Sequence, residues 1–392
     1  MALFATGAAA HAQAPSPSPK DDDEVQKTPV DPYTGGDLTV LVAGGCVGYG
    51  PFAWADGKRT EDIDRVLGQG RVLWLETEHF RIGCNLRSAG LPAEPDPRNA
   101  LLDECRALHK RLPKIQERPK RLDPWLRAHL YAERAEAIYR EFEAMLGDHV
   151  DPRSTQLAPP GGKYLGLPDK FLLLLFQKKS DLARYLDRFC GVQGDRSYGH
   201  YFAQTFQMVF ALSAEGLEVP DDAALHSHFV YGLVGSLVTG YRGFTYLLPP
   251  WITEGLAHCF SRRVDTTFIN ITIGDADGVA AKDQHEWERK VRARVQHAQT
   301  TVPLDTMLGW QKIDDMGYHG HLQAWSRVSF LMSVAPAKVG ELLYRLKSRP
   351  PGTGAAELRE VTVTALQEVF GLDAAAFDAQ WRDWVLRTYT RK

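Results

Sequence analysis

Two stretches of the chain carry side chains able to hold a metal ion or move a proton. LHSHFVYGLV, residues 225–234, contains His226 and His228, and LPPWITEGLAHCF, residues 247–259, contains Glu254 behind a Pro249-Pro250 start. Metal-assisted hydrolysis of the HExxH kind needs two imidazoles one helical turn apart, facing one ion. It also needs a carboxylate between them to take a proton from the bound water. LHSHFVYGLV departs from that pattern in either frame. With His228 as first ligand, Phe229 stands where the carboxylate belongs and Gly232 where the second imidazole belongs; with His226 first, those positions hold Ser227 and Val230. The two histidines cannot serve one ion together on a helix, because side chains two apart point about 200° away from one another. Only an extended backbone would turn both to one face and let Glu254 complete the set.

The elements needed to position these residues are legible. Asp221 and Asp222 offer an N-cap to a helix running to about Val238. Along it Leu225, Phe229, Leu233 and Leu237 form an apolar stripe. Ala224, His228, Gly232 and Gly235 form a second stripe of mostly small residues, suited to close helix contact. His228 then reads as a packed imidazole bonded to a neighbour such as Glu254. In the second stretch Pro249-Pro250 start a helix, Trp251 anchors it, and the glycine after Glu254 permits close packing. Upstream, residues 71–86 alternate as a strand, and residues 99–116 and 123–147 carry helical apolar spacing, the latter ending on a C-cap glycine. KFLLLLFQ, residues 170–177, reads as a buried central strand, SDLARYLDRF as a helix capped by Ser180, and residues 199–213 as one or two further strands. From Pro249 onward every signal is helical, so an α and β first half precedes a helical second half.

The W-x-x-E-G-x-A run made by Trp251, Glu254, Gly255 and Ala257 resembles the third-ligand helix of gluzincin peptidases. An early W-x-E-T-x-H-F-x-I strand is matched by Trp74, Glu76, Thr77, His79, Phe80 and Ile82. A late aromatic helix, LQAWSRVSFLM, and a closing F-x-x-x-W-x-x-W, matched by Phe377, Trp381 and Trp384, complete the set. Over residues 71–388 the chain therefore resembles the peptidase MA-like group of bacterial proteins. The resemblance implies an α+β, zincin-like fold of thermolysin type: a mixed sheet with an active-site-type helix, followed by a mainly helical C-terminal subdomain. Composition and the resemblance together divide the chain into a signal-like segment and disordered linker (1–36), an α+β subdomain with the degenerate HExxH helix (37–245) and a helical subdomain carrying Glu254 (246–392).

On that resemblance the remnant site comprises His226, His228, Glu254 and Tyr318, the last resembling the oxyanion-stabilising tyrosine of zinc peptidases although no motif position fixes that match. The expectation is a pseudopeptidase: a non-catalytic binding or structural module without a cofactor, its cleft holding an extended peptide or an envelope protein beside a strand edge. The alternative is a zinc-dependent hydrolase whose ligands include His226 or His228 together with Glu254. A purely structural envelope component is a third reading.

Other features bound the function. The 46 Lys and Arg against 49 Asp and Glu leave no basic field for nucleic acid. The run ending Ala12-Gln13-Ala14 before a Pro and Ser stretch looks like the end of a secretory signal, although no basic residue precedes Lys20. Export is the expectation, with a cytoplasmic location as the alternative. No apolar run approaches the roughly 20 residues needed to span a bilayer. The five cysteines lack CxxC spacing, and export would allow one or two disulfides. His319 and His321 stand at a helix start from which they could reach a pocket, with a capping or surface role as the first expectation, and His285 with Glu286 and Glu288 reads as a solvated helix face. No phosphate-binding loop and no GxSxG elbow is present.

Overall fold

The computed structural model describes residues 30–68, 72–150, 162–243, 248–271, 286–297, 300–348 and 354–390. The signal-like stretch and His285 lie outside the described residues. Packed structure begins before position 37, earlier than the linker composition of residues 15–36 suggests. Asp31 is buried, accepts a hydrogen bond from the Tyr49 hydroxyl at 2.7 Å and lies 2.8 Å from His129 Nε2.

In chain order the elements are α1 (Leu38–Ala43), β1 (Gly48–Tyr49), α2 (Thr60–Leu67), β2 (Leu73–Glu76), β3 (Phe80–Cys84), α3 (Pro95–His109), α4 (Pro124–Leu146) and β4 (Phe171–Phe176). There follow α5 (Lys179–Tyr185), β5 (Ser197–Phe202), β6 (Gln207–Ser213), α6 (Asp222–Gly240), α7 (Pro250–Ser261), α8 (Trp287–Gln296), α9 (Leu304–Met307), α10 (Gly317–Val334), α11 (Pro336–Leu346), α12 (Ala355–Phe370) and α13 (Ala374–Thr388). The fold is α+β. The strand expected over 71–86 is a hairpin of β2 and β3, because Thr77 closes a turn by accepting from Phe80 N through Oγ1 at 3.1 Å. Ser180 caps nothing; it lies inside α5, which Lys178 precedes without a side-chain cap. Asp221 does cap α6, accepting from Ala224 N at 3.0 Å.

The six strands form one open mixed sheet in the order β1-β2-β3-β4-β6-β5. The two central pairings, β3 with β4 and β4 with β6, are parallel, and the outer pairings are antiparallel. Strand β4 is buried on both faces, as its unbroken apolar run requires. Phe171, Leu173 and Leu175 enter the main core under α4 and α6, while Leu172, Leu174 and Phe176 enter a smaller core with Leu182 and Tyr185 of α5. The main core draws residues from both sides of position 245. Trp251 of α7 is fully buried and meets Phe377 of α13 edge-on at 6.2 Å, so sheet and C-terminal helices share one interior. No helix among the described residues is long and apolar enough to cross a membrane.

Candidate functional site

Helix α6 sets its two histidines apart, as side chains two positions apart on a helix must be. His226 turns toward α3 and α4, with Nδ1 4.0 Å from Glu104 Oε1. His228 turns toward the sheet edge: its Nδ1 lies 3.0 Å from Asn270 Oδ1 and its Nε2 2.9 Å from Ser197 Oγ of β5. Asn270 Nδ2 donates in turn to Ser227 Oγ at 3.1 Å, which orients the amide so that its oxygen accepts from His228. Burial pushes the His228 imidazole down to about 4, against the opposing pull of the Asn270 bond. A neutral ring with one nitrogen donating and the other accepting uses both of its bonding positions. Glu254, considered above as its partner, bonds elsewhere.

The positions that would complete HExxH are core positions. Phe229 is fully buried and meets Tyr131 of α4 edge-on at 5.1 Å. At Gly232 even a Cβ would stand 1.9 Å from Phe210 Cζ of β6. The face of α6 where a second imidazole would sit is thus pressed onto the sheet.

On α7 the helical spacing i, i+4 puts Glu254 and His258 on one face, toward α10. Gly255 brings the two helices together, since a Cβ there would stand 2.4 Å from Val328 Cγ2 and 2.8 Å from the Ala324 carbonyl oxygen of α10. The close approach meets His321. Its Nδ1 is 3.1 Å from His258 Nε2 and 3.6 Å from Glu254 Oε2. One ligand atom from each of Glu254, His258 and His321 lies within 4.8 Å of the others, and all three residues are buried, at 5%, 1% and 3% exposure. The Tyr231 hydroxyl of α6 donates to Glu254 Oε2, and Trp287 at the start of α8 stands edge-on to His258 at 4.9 Å. Burial pushes the Glu254 carboxyl up to about 7, with the Tyr231 bond opposing. Burial, then His321 and Arg262, hold the His258 imidazole well below its ordinary range.

Of the four residues singled out in sequence, only Glu254 belongs to this cluster. The Tyr318 hydroxyl accepts from Lys290 Nζ of α8 at 3.1 Å, and the tyrosine that reaches Glu254 is Tyr231. His321 is an interior residue rather than a capping or surface one. The sequence signal for His258 is its place four residues after Glu254, on the same face of α7. No protein-family model matches this chain, and no curated protein matches it significantly.

Proposed function

We propose that the protein is a gluzincin-like pseudopeptidase that binds an extended peptide without cleaving it. The observation that carries this reading is the packing of Phe229 and Gly232 into the core, at the positions where the general base and second ligand of a peptidase would stand. A hydrolase needs those groups beside open space for water and substrate. The binding surface in this reading is the edge of the sheet along β5, which among the described residues pairs only with β6. An added strand takes its affinity from main-chain hydrogen bonds and its selectivity from alternate side chains. The signal-like start and the near-balanced charge suit an exported module that meets peptides or envelope proteins.

The test incubates the full chain, with and without added zinc, with a mixture of unstructured peptides. It follows cleavage by mass spectrometry and backbone amide exchange at residues 197–202. Intact peptides together with slowed exchange along β5 are expected. Cleavage abolished by Glu254→Gln would replace this reading with the zinc hydrolase, and binding that leaves β5 exchange unchanged would remove β5 as the surface.

A further inference from the structure

We infer that Glu254, His258 and His321 form a closed site for a divalent cation of the zinc class, which fastens α7 to α10. The donor set is two imidazoles and a carboxylate, a chemistry that suits zinc and cobalt far better than magnesium or calcium. Around a tetrahedral zinc with bonds near 2.1 Å, neighbouring donor atoms stand roughly 3.4 Å apart. The 3.1 Å between the two imidazole nitrogens and the 3.6 Å between His321 and Glu254 bracket that spacing. Glu254 and His258 stand one turn apart on α7 and His321 on α10, and Gly255 brings those two helices together. The Tyr231 hydroxyl bonds Glu254 and orients its carboxylate, as outer partners do in built metal sites. A fourth position is left for water or for that hydroxyl. Three protein ligands with an exchangeable fourth position are also what a catalytic zinc has, but burial of all three side chains closes that position to a substrate, which makes the site structural.

This ligand set is separate from the one a gluzincin would use: it keeps Glu254 but takes neither histidine of LHSHFVYGLV, and it does not depend on peptide binding at β5. The experiment strips the full chain with a chelator, returns zinc or cobalt, and measures metal by elemental analysis and cobalt by visible absorption. One ion per chain and the intense bands of tetrahedral cobalt are expected. His258→Gln and His321→Gln should each weaken binding by about 100-fold or more, Tyr231→Phe by about 10-fold, and His228→Gln not at all. Circular dichroism of each variant separates lost ligation from lost folding, and the cobalt spectrum of the unaltered chain stands whatever the variants do. Absence of a stoichiometric ion, an octahedral cobalt spectrum, or loss of the ion in His228→Gln but not in His258→Gln would overturn the site. Zinc uptake accompanied by peptide cleavage would sink the pseudopeptidase reading and leave the metal site standing, while absence of zinc would do the reverse.

Discussion

Phe229 and Gly232 show how a chemical position becomes a packing position. Rebuilding the HExxH pattern by Phe229→Glu with Gly232→His would put an unpaired carboxyl against Tyr131 and an imidazole into the space of Phe210. Overpacking and a buried, unpartnered charge each cost a few kcal/mol. The double variant is therefore expected to lose more than about 3 kcal/mol of stability and to gain no hydrolysis. Denaturant unfolding measures the first and a peptide assay the second; an unchanged midpoint would mean that α6 can rotate away from the sheet. Single residues were the hardest scale to read in sequence. The missing carboxylate and second histidine could be seen by spacing alone, and so could the opposed directions of His226 and His228. The cluster itself could not, because His321 stands 63 residues beyond His258, and only the fold shows that Gly255 brings their helices together.

Helix α6 begins on a buried ion pair. Asp222, its first residue, sits 3.2 Å from Arg127 Nη2 and 2.8 Å from Arg134 Nη1, both on α4. Burial pushes the Asp222 carboxyl up, but Arg134 and Arg127 outweigh it and hold the group at about 2 against an ordinary 3.8. A carboxyl lowered in the folded state stabilises above its unfolded pKa and loses that contribution as the pH falls through its folded one. Asp222→Asn should be less stable than the parent by about 3 kcal/mol near neutrality, since it removes the carboxylate shared by two buried guanidinium groups and leaves Arg134 with Glu104 and Arg127 with the Arg87 carbonyl. That gap should shrink by about 2 kcal/mol between pH 4 and pH 2. Urea midpoints of both proteins across this range decide it; a constant gap would show that Asp222 does not titrate there. Asp31, held at about 2 by His129 and Tyr49 against its own burial, titrates in both proteins and cancels in the difference. Elements were the most legible scale. The buried run of β4, the aspartate cap of α6 and the proline start of α7 are local signals that the fold respects. Ser180 misled because capping depends on where the backbone enters the helix, and one turn of sequence does not contain that information.

At the scale of the molecule, one buried cluster draws residues from the sheet and from the C-terminal helices, on both sides of position 245. No composition shift could reveal this, since the contacts across the boundary join residues far apart in sequence, such as Trp251 and Phe377. All five cysteines are free, three of them buried, so the disulfides that export would allow are not formed. Burial pushes the Cys46 thiol up to about 12 and that of Cys84 to about 11, where little thiolate exists near neutrality. A thiol reagent at pH 8 should label the native chain slowly and should count five thiols after denaturation without reductant; a count of three or one would reveal a disulfide. The last helix has a further bearing on the buried cluster. Trp381 Nε1 of α13 donates to Ser326 Oγ of α10 at 3.0 Å, and Asp378 of α13 accepts from the buried Arg327 of α10 at 2.8 Å. The helix that carries His321 is thus braced from behind by a segment the ribosome makes more than fifty residues later. A growing chain that has already released Glu254 and His258 lacks this brace on the helix of the third member until translation has passed Trp381. If the cluster takes up an ion, its third ligand gains this brace only once α13 has docked on α10.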